Sequence, residues 1–156
     1  MASPLTAAAY LSTKGATMRY QLNEGIIQLP ENWNDETLNA FSAPDKSGLN
    51  LVITRQGLPF GTDKDEFLEN ILAQYREQLP GYTEDEYKTI TLAAQNACLL
   101  AYHWQSDEGR IDQLAVMLYL NDVLLSFTAS SASGMSKKQK ETLLGVIQSF
   151  NPESTD

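Results

Sequence analysis

Residues 97–131 leave this chain few folds to choose from. Cys98, Leu100, Tyr102 and Trp104 alternate with Ala97, Leu99, Ala101 and His103, the two-residue period of a strand. The polar run Gln105-Ser106-Asp107-Glu108-Gly109 reads as a reversal, Arg110–Leu120 as a returning strand, Asn121-Asp122 as a second turn and Val123–Ser131 as a third strand. This is a β-meander. Carrying the alternation across both turns puts Cys98, Leu100, Tyr102 and Trp104 on one face with Leu114, Val116, Leu118, Leu120, Val123, Leu125 and Phe127. That face is a core. The opposite face carries Leu99, Ala101, His103, Gln113, Ala115, Met117, Leu124, Ser126, Thr128 and Ser130. A solvated sheet face normally presents Lys, Glu and Arg. An uncharged one is either covered by the protein's own helices or waits for a partner.

The remaining segments extend this plan. Residues 1–17 lack sustained periodicity and read as an N-terminal extension that the core does not need; residues 18–152 read as one domain and 153–156 as a frayed tail. Arg19–Asn23 and Gly25–Leu29 are extended pieces, and the Trp33 indole is expected to plug one end of the core. Leu38–Ser42 and Leu49–Arg55 form a hairpin around a Pro44-containing loop. Phe41, Leu51 and Ile53 point inward, which sends Leu38, Ala40, Asn50, Val52 and Thr54 to the other, again uncharged, face. A helix capped by Thr62 or Asp63 carries Phe67, Leu68, Ile71, Leu72, Tyr75 and Leu79 at helical spacing and stops at Pro80-Gly81. Tyr82–Leu92 is a further strand. Ser136, with Gln139 three residues on, caps a last helix that buries Leu143, Leu144, Ile147 and Phe150. The order predicts an α+β fold: a mostly antiparallel twisted sheet with a β-meander and two main helices.

Several function classes fall away. With 20 acidic against 11 basic residues the net charge is −9, which repels phosphate backbones, and Lys137-Lys138-x-Lys140 reads as a solvated helix face. No nucleic-acid partner is expected. No apolar run is long enough to span a bilayer, and no export signal precedes the domain, so the expected location is the cytoplasm. The lone Cys98 supports neither a disulfide nor a thiolate metal site, and the lone His103 supports neither His-metal spacing nor a triad. Asp63, Asp65, Glu66 and Glu69 crowd a helix start, where the macrodipole favours them without a catalytic task. Phosphate-cradling glycine loops are absent. The expectation is a non-enzyme with no catalytic residues, metal or cofactor.

A set of short motifs then stands in a telling order: Tyr20-Gln21-Leu22-Asn23-Glu24-Gly25, Leu29-Pro30-x-x-Trp33, Asp35-x-x-Leu38-Asn39-x-Phe41, Leu51-Val52-Ile53-Thr54-Arg55, Gln78-Leu79-Pro80-Gly81-Tyr82 and Tyr102-x-Trp104-Gln105-x-x-Glu108-Gly109-Arg110. From about Met18 to Phe150 the chain resembles the effector-associated (Eag) chaperones of bacterial type VI secretion, within the DcrB-like group of Mog1/PsbP-type fold. That group includes envelope lipoproteins, and the lack of an export signal here favours the cytoplasmic branch. The resemblance implies a homodimer that holds the N-terminal transmembrane helices of a secreted effector before loading onto the secretion spike. It turns the uncharged face into a partner surface. Ala40, Ala101, Ala115, Ser126 and Thr128 would allow close helix approach, Asn50 and Gln113 would supply amides, and Leu38, Val52, Leu99, Met117 and Leu124 apolar area, with Thr54 beside them. Two alternatives use the same face: a small-ligand or lipid-binding module, and a scaffold for a soluble partner.

Overall fold

The computed structural model describes residues 16–152; most of the extension (1–15) and the tail (153–156) lie outside the described residues. In chain order the elements are β1 (Thr17–Gln21), β2 (Ile26–Pro30), β3 (Asn39–Ser42), β4 (Asn50–Gly57), α1 (Lys64–Gln78), β5 (Thr83–Leu92), β6 (Gln95–Ser106), β7 (Gly109–Leu120), β8 (Val123–Ser131) and α2 (Lys137–Gln148). They fall into two compact units divided between Asp35 and Glu36. In the first, β1 and β2 form an antiparallel ribbon, and Thr17 opens the ladder opposite Pro30. Trp33, expected as a core plug, is instead 57% exposed, its N–H donated to the Pro30 carbonyl in a turn.

The second unit is a six-stranded antiparallel sheet in the order β3-β4-β8-β7-β6-β5. The α+β architecture expected from the sequence is the one found. Three two-residue turns link β5 through β8. Ala93 and Ala94 both take positive φ, 53° and 62°, the backbone that a tight hairpin of this twist requires.

The turn between β6 and β7 corrects the face assignment. Gln105 pairs with Arg110 and Ser106 with Gly109, so the loop is Asp107-Glu108 and not the five-residue polar run. In a two-residue loop, even-numbered residues of one strand face the same way as odd-numbered residues of the next. Cys98 therefore pairs with Met117 and Leu100 with Ala115, whereas Leu99 pairs with Val116 and Ala101 with Leu114. Leu99 and Ala101 leave the expected partner face for the opposite one.

Both faces are cores. α2 lays Leu143, Leu144, Ile147 and Phe150 over Leu99, Ala101, Leu114, Val116, Leu118, Leu125 and Phe127. α1 lays Phe67, Leu68, Ile71, Leu72 and Tyr75 over Leu100, Tyr102, Ala115, Met117 and Leu124. Asp63 caps α1 by accepting the N–H groups of Asp65 and Glu66 at 2.9 and 3.1 Å. Ser136 and Gln139 form the expected reciprocal capping box on α2.

Asp112 anchors the approach to α2. Its carboxylate accepts the Met135 N–H and the Arg110 Nε–H, each at 2.8 Å, on a residue 7% exposed. Burial alone would raise its pKa, but the bonds from Arg110 and Met135 outweigh it and hold the carboxyl below the usual range. A depressed folded-state pKa stabilises the fold above the ordinary carboxylate value and is lost as pH falls through the depressed one. Asp112→Asn is therefore expected to lose about 1–3 kcal/mol at pH 7. The gap to wild type should narrow progressively as pH falls from the ordinary carboxylate value toward the depressed one, as read from urea midpoints measured at pH 7 and in a descending acid series.

Candidate partner-binding face

α1 covers only part of its side of the sheet. Beneath it Ala115, Met117 and Leu124 are buried, at 0%, 3% and 2% exposure, so these three predicted partner residues are internal packing. Leu99 and Ala101 are buried on the α2 side. Beyond the helix the face opens toward the β3 edge. Leu38, Ala40, Asn50 and Thr54 are exposed there, and Val52, Gln113, Ser126 and Thr128 are half-buried. Register brings them together: Ala40 opposes Val52, Val52 opposes Thr128, Thr54 opposes Ser126, and Thr128 opposes Ala115. The result is a continuous strip across β3, β4 and β8, with Gln113 of β7 at its margin.

The strip's chemistry is neutral. No Asp, Glu, Lys or Arg occupies its rows. Its inner margin is a hydrogen-bonded chain that sequence reasoning did not assemble: the Trp104 indole Nε1–H donates to Gln113 Oε1, and Gln113 Nε2–H donates to Ser130 Oγ, both at 2.8 Å. The signal for it was Trp104 on the face of Leu100 and Tyr102, from which the misread turn separated Gln113. These bonds cross three strands and fix the Gln113 amide plane while leaving one N–H and one lone pair unused. Burial pushes the Tyr102 and Tyr75 phenols upward, and burial with the nearby Glu84 carries Tyr82 up to about 12. Burial also raises the Cys98 thiol, against a lowering bond from Tyr87. All four stay uncharged at neutral pH.

The opposite face has a groove of about 710 Å³ between α2 and the β3–β4 hairpin, lined by Phe41, Leu51, Ile53, Phe127, Leu143 and Phe150. Phe41 shares the inward face with Leu51 and Ile53 as expected, yet stays 58% exposed because β3 is the edge of the sheet. His103 also lies on this side, its Nδ1 2.9 Å from Asp85. Among the described residues no group of three or more His, Cys, Asp or Glu is placed to hold a metal ion. No helix among them is long and apolar enough to cross a membrane.

The kinship of this helix-covered antiparallel sheet, with its neutral strip, follows from comparison. Residues 24–149 match the family model of DcrB. The chain belongs to the DcrB family, which bears out the resemblance carried by its motifs. Effector EagT6 of Pseudomonas aeruginosa is 29% identical over 94 residues, 58% of this chain and 65% of that protein, so less than two thirds of the relative's length is matched. Among solved structures, a Pseudomonas aeruginosa protein of unknown function, PA94, shares the fold with a TM-score of 0.74 at 21% identity, over 90% of this chain and 100% of that one. Cyanobacterial PsbP from Synechocystis gives 0.45 at 11% identity over 84% and 86%. LpqN from Mycobacterium tuberculosis gives 0.49 at 12% over 92% and 94%.

Proposed function

We propose that this protein is a cytoplasmic type VI secretion chaperone that binds the N-terminal transmembrane helices of a cognate secreted effector, shields them, and supports loading onto the secretion spike. It does this as a homodimer, without catalysis and without a cofactor. The likeness to Effector EagT6 supports effector association, and the neutral strip across β3, β4 and β8 carries the reading. A transmembrane helix of about 20 apolar residues aggregates or inserts if left in water. A surface that shields it must present no charge, because an unpaired charge buried against such a helix is costly. It must also allow close approach, as small residues do between membrane helices. Ala40, Ser126 and Thr128 meet the second need; Leu38 and Val52 add apolar area. Gln113 and Asn50 offer amides to any polar group on the helix.

Co-expression tests this directly. The apolar N-terminal fragment of a candidate effector should remain soluble and co-purify with the chain, and should aggregate or be degraded when expressed alone. A fragment equally soluble in both cases contradicts the reading. The groove under α2 favours a second reading, an apolar small-molecule binder, for which a lipid extracted from the purified protein in stoichiometric amount would speak.

A further inference from the structure

The groove between α2 and the β3–β4 hairpin, on the side of the sheet away from the strip, is long, apolar and charged at one end. Its α2 wall carries Lys138, Thr142 and Val146, with Phe150 just past the helix end. Four-residue spacing sets these side chains in one line along the helix. At about 1.5 Å per residue that line is about 18 Å long. On the floor the rings of Phe127 and Phe150 meet with centroids 5.4 Å apart. Phe41 and Val146, one on each bank, are 58% and 51% exposed. Apolar side chains left open on both banks of one channel mark a cleft with room for an occupant, and about 710 Å³ is the size of a small-molecule site.

Charge gives the channel a direction. The macrodipole favours acids in the first turn of a helix, and α1 opens with Asp65 and Glu66. The first turn of α2 has no acid and begins Lys137-Lys138, an arrangement that an added anion relieves. Lys140, on the next turn, lies within electrostatic reach of Asp112. Lys138 lines the groove, and no Asp or Glu among the described residues forms an ion pair with it. Asp45 also lines it, but its carboxylate accepts the N–H and the Oγ–H of Ser47 in its own loop.

We infer that this groove binds one free long-chain fatty acid, its alkyl tail laid along α2 and its carboxylate at Lys138. The assignment rests on the small-molecule reading of the groove given above and supplies its ligand class; it does not depend on shielding. An extended peptide would bring an N–H and a C=O at every residue to walls whose own backbone is already paired, in α2 and in the β4–β8 ladder. An alkyl chain brings no polar group except at its end. A C–C bond of about 1.52 Å at about 111° advances the chain about 1.25 Å per carbon, so a wall of about 18 Å takes about 14 carbons.

Equilibrium dialysis of labelled tetradecanoate against the full chain, washed over a hydrophobic resin, tests this. One acid should bind per chain. Dodecanoate should bind about fifteenfold more weakly, since each methylene removed costs about fourfold. Lys138→Glu should weaken tetradecanoate by about fivefold or more at low salt and leave tetradecanol unchanged. Val146→Glu, at an exposed position and with unchanged far-UV circular dichroism, should abolish binding of both. Tetradecanoate and tetradecanol both failing to bind overturns this inference and the small-molecule reading with it. Binding of both with no selective effect of Lys138→Glu overturns the carboxylate assignment and leaves the small-molecule reading standing. Tetradecanoate that still binds Val146→Glu lies outside the groove and overturns the inference. A biotinylated Leu/Ala transmembrane peptide of about 20 residues, captured by the wild type and lost in Val146→Glu, would give the groove to a helical partner and overturn it too. So would a fall in mass by light scattering for Val146→Glu, which would make the groove a contact between copies.

Discussion

Leu72→Ala is expected to lower the stability of the sheet unit by about 2–5 kcal/mol, the usual consequence of emptying a fully buried leucine site. Leu72 is 0% exposed and packs among Leu100, Tyr102, Ala115, Met117 and Leu124. The surrounding side chains come from three strands whose backbones are locked in ladders, so they cannot collapse into the space. A total stability of about 5–15 kcal/mol makes such a loss a large fraction of the whole. Urea unfolding followed by circular dichroism should show the midpoint fall sharply for Leu72→Ala. Leu38→Ala, at a side chain 59% exposed, should stay within about 0.5 kcal/mol of wild type. Similar midpoints for the two variants would mean that α1 is not held by this packing.

The same helix explains why the candidate site was only partly legible in the sequence. Strand periodicity located every strand of the meander, and the Asn121-Asp122 turn gave the correct parity from β7 to β8 because Leu120 pairs with Val123. The β6–β7 turn misled because Gln105 and Arg110 are polar, exposed and still paired. Strand ends project beyond the helix-covered core into water, so polarity there marks solvation and not the end of the ladder. One residue of miscounted parity sent Leu99 and Ala101 to the wrong side. The burial of Ala115, Met117 and Leu124 was hidden for a different reason. Where α1 sits laterally depends on how residues 58–63 and Pro80-Gly81 carry the chain across the sheet, and no period in the sequence records that. The strip that stays open is the part of the face α1 does not reach. Leu38, Ala40, Asn50, Val52 and Thr54 lie exposed or half-buried on the face expected of them, on or next to strands that contribute no residue to the cluster beneath α1.

Val52→Asp should abolish retention of the effector fragment while leaving the fold and the oligomeric state as they are. Val52 sits mid-strip between Ala40 and Thr128, and no cation occupies the neighbouring rows. In the free protein the new carboxylate reaches water, because the site is only half-buried; against a bound apolar helix it would be enclosed without a partner. An uncompensated buried charge costs about 3–5 kcal/mol, and each 1.4 kcal/mol is a factor of ten in affinity, so binding should weaken roughly a hundred- to several-thousand-fold. Val52→Thr supplies the control: it keeps the shape and adds a hydroxyl of the kind membrane helices tolerate at close contacts, and it should retain most of the fragment. Pull-down of the co-expressed fragment reads the difference, with circular dichroism and light scattering showing that neither variant is misfolded. Equal retention by wild type and Val52→Asp would move the binding surface off this strip, and the groove beneath α2 would become the place to look.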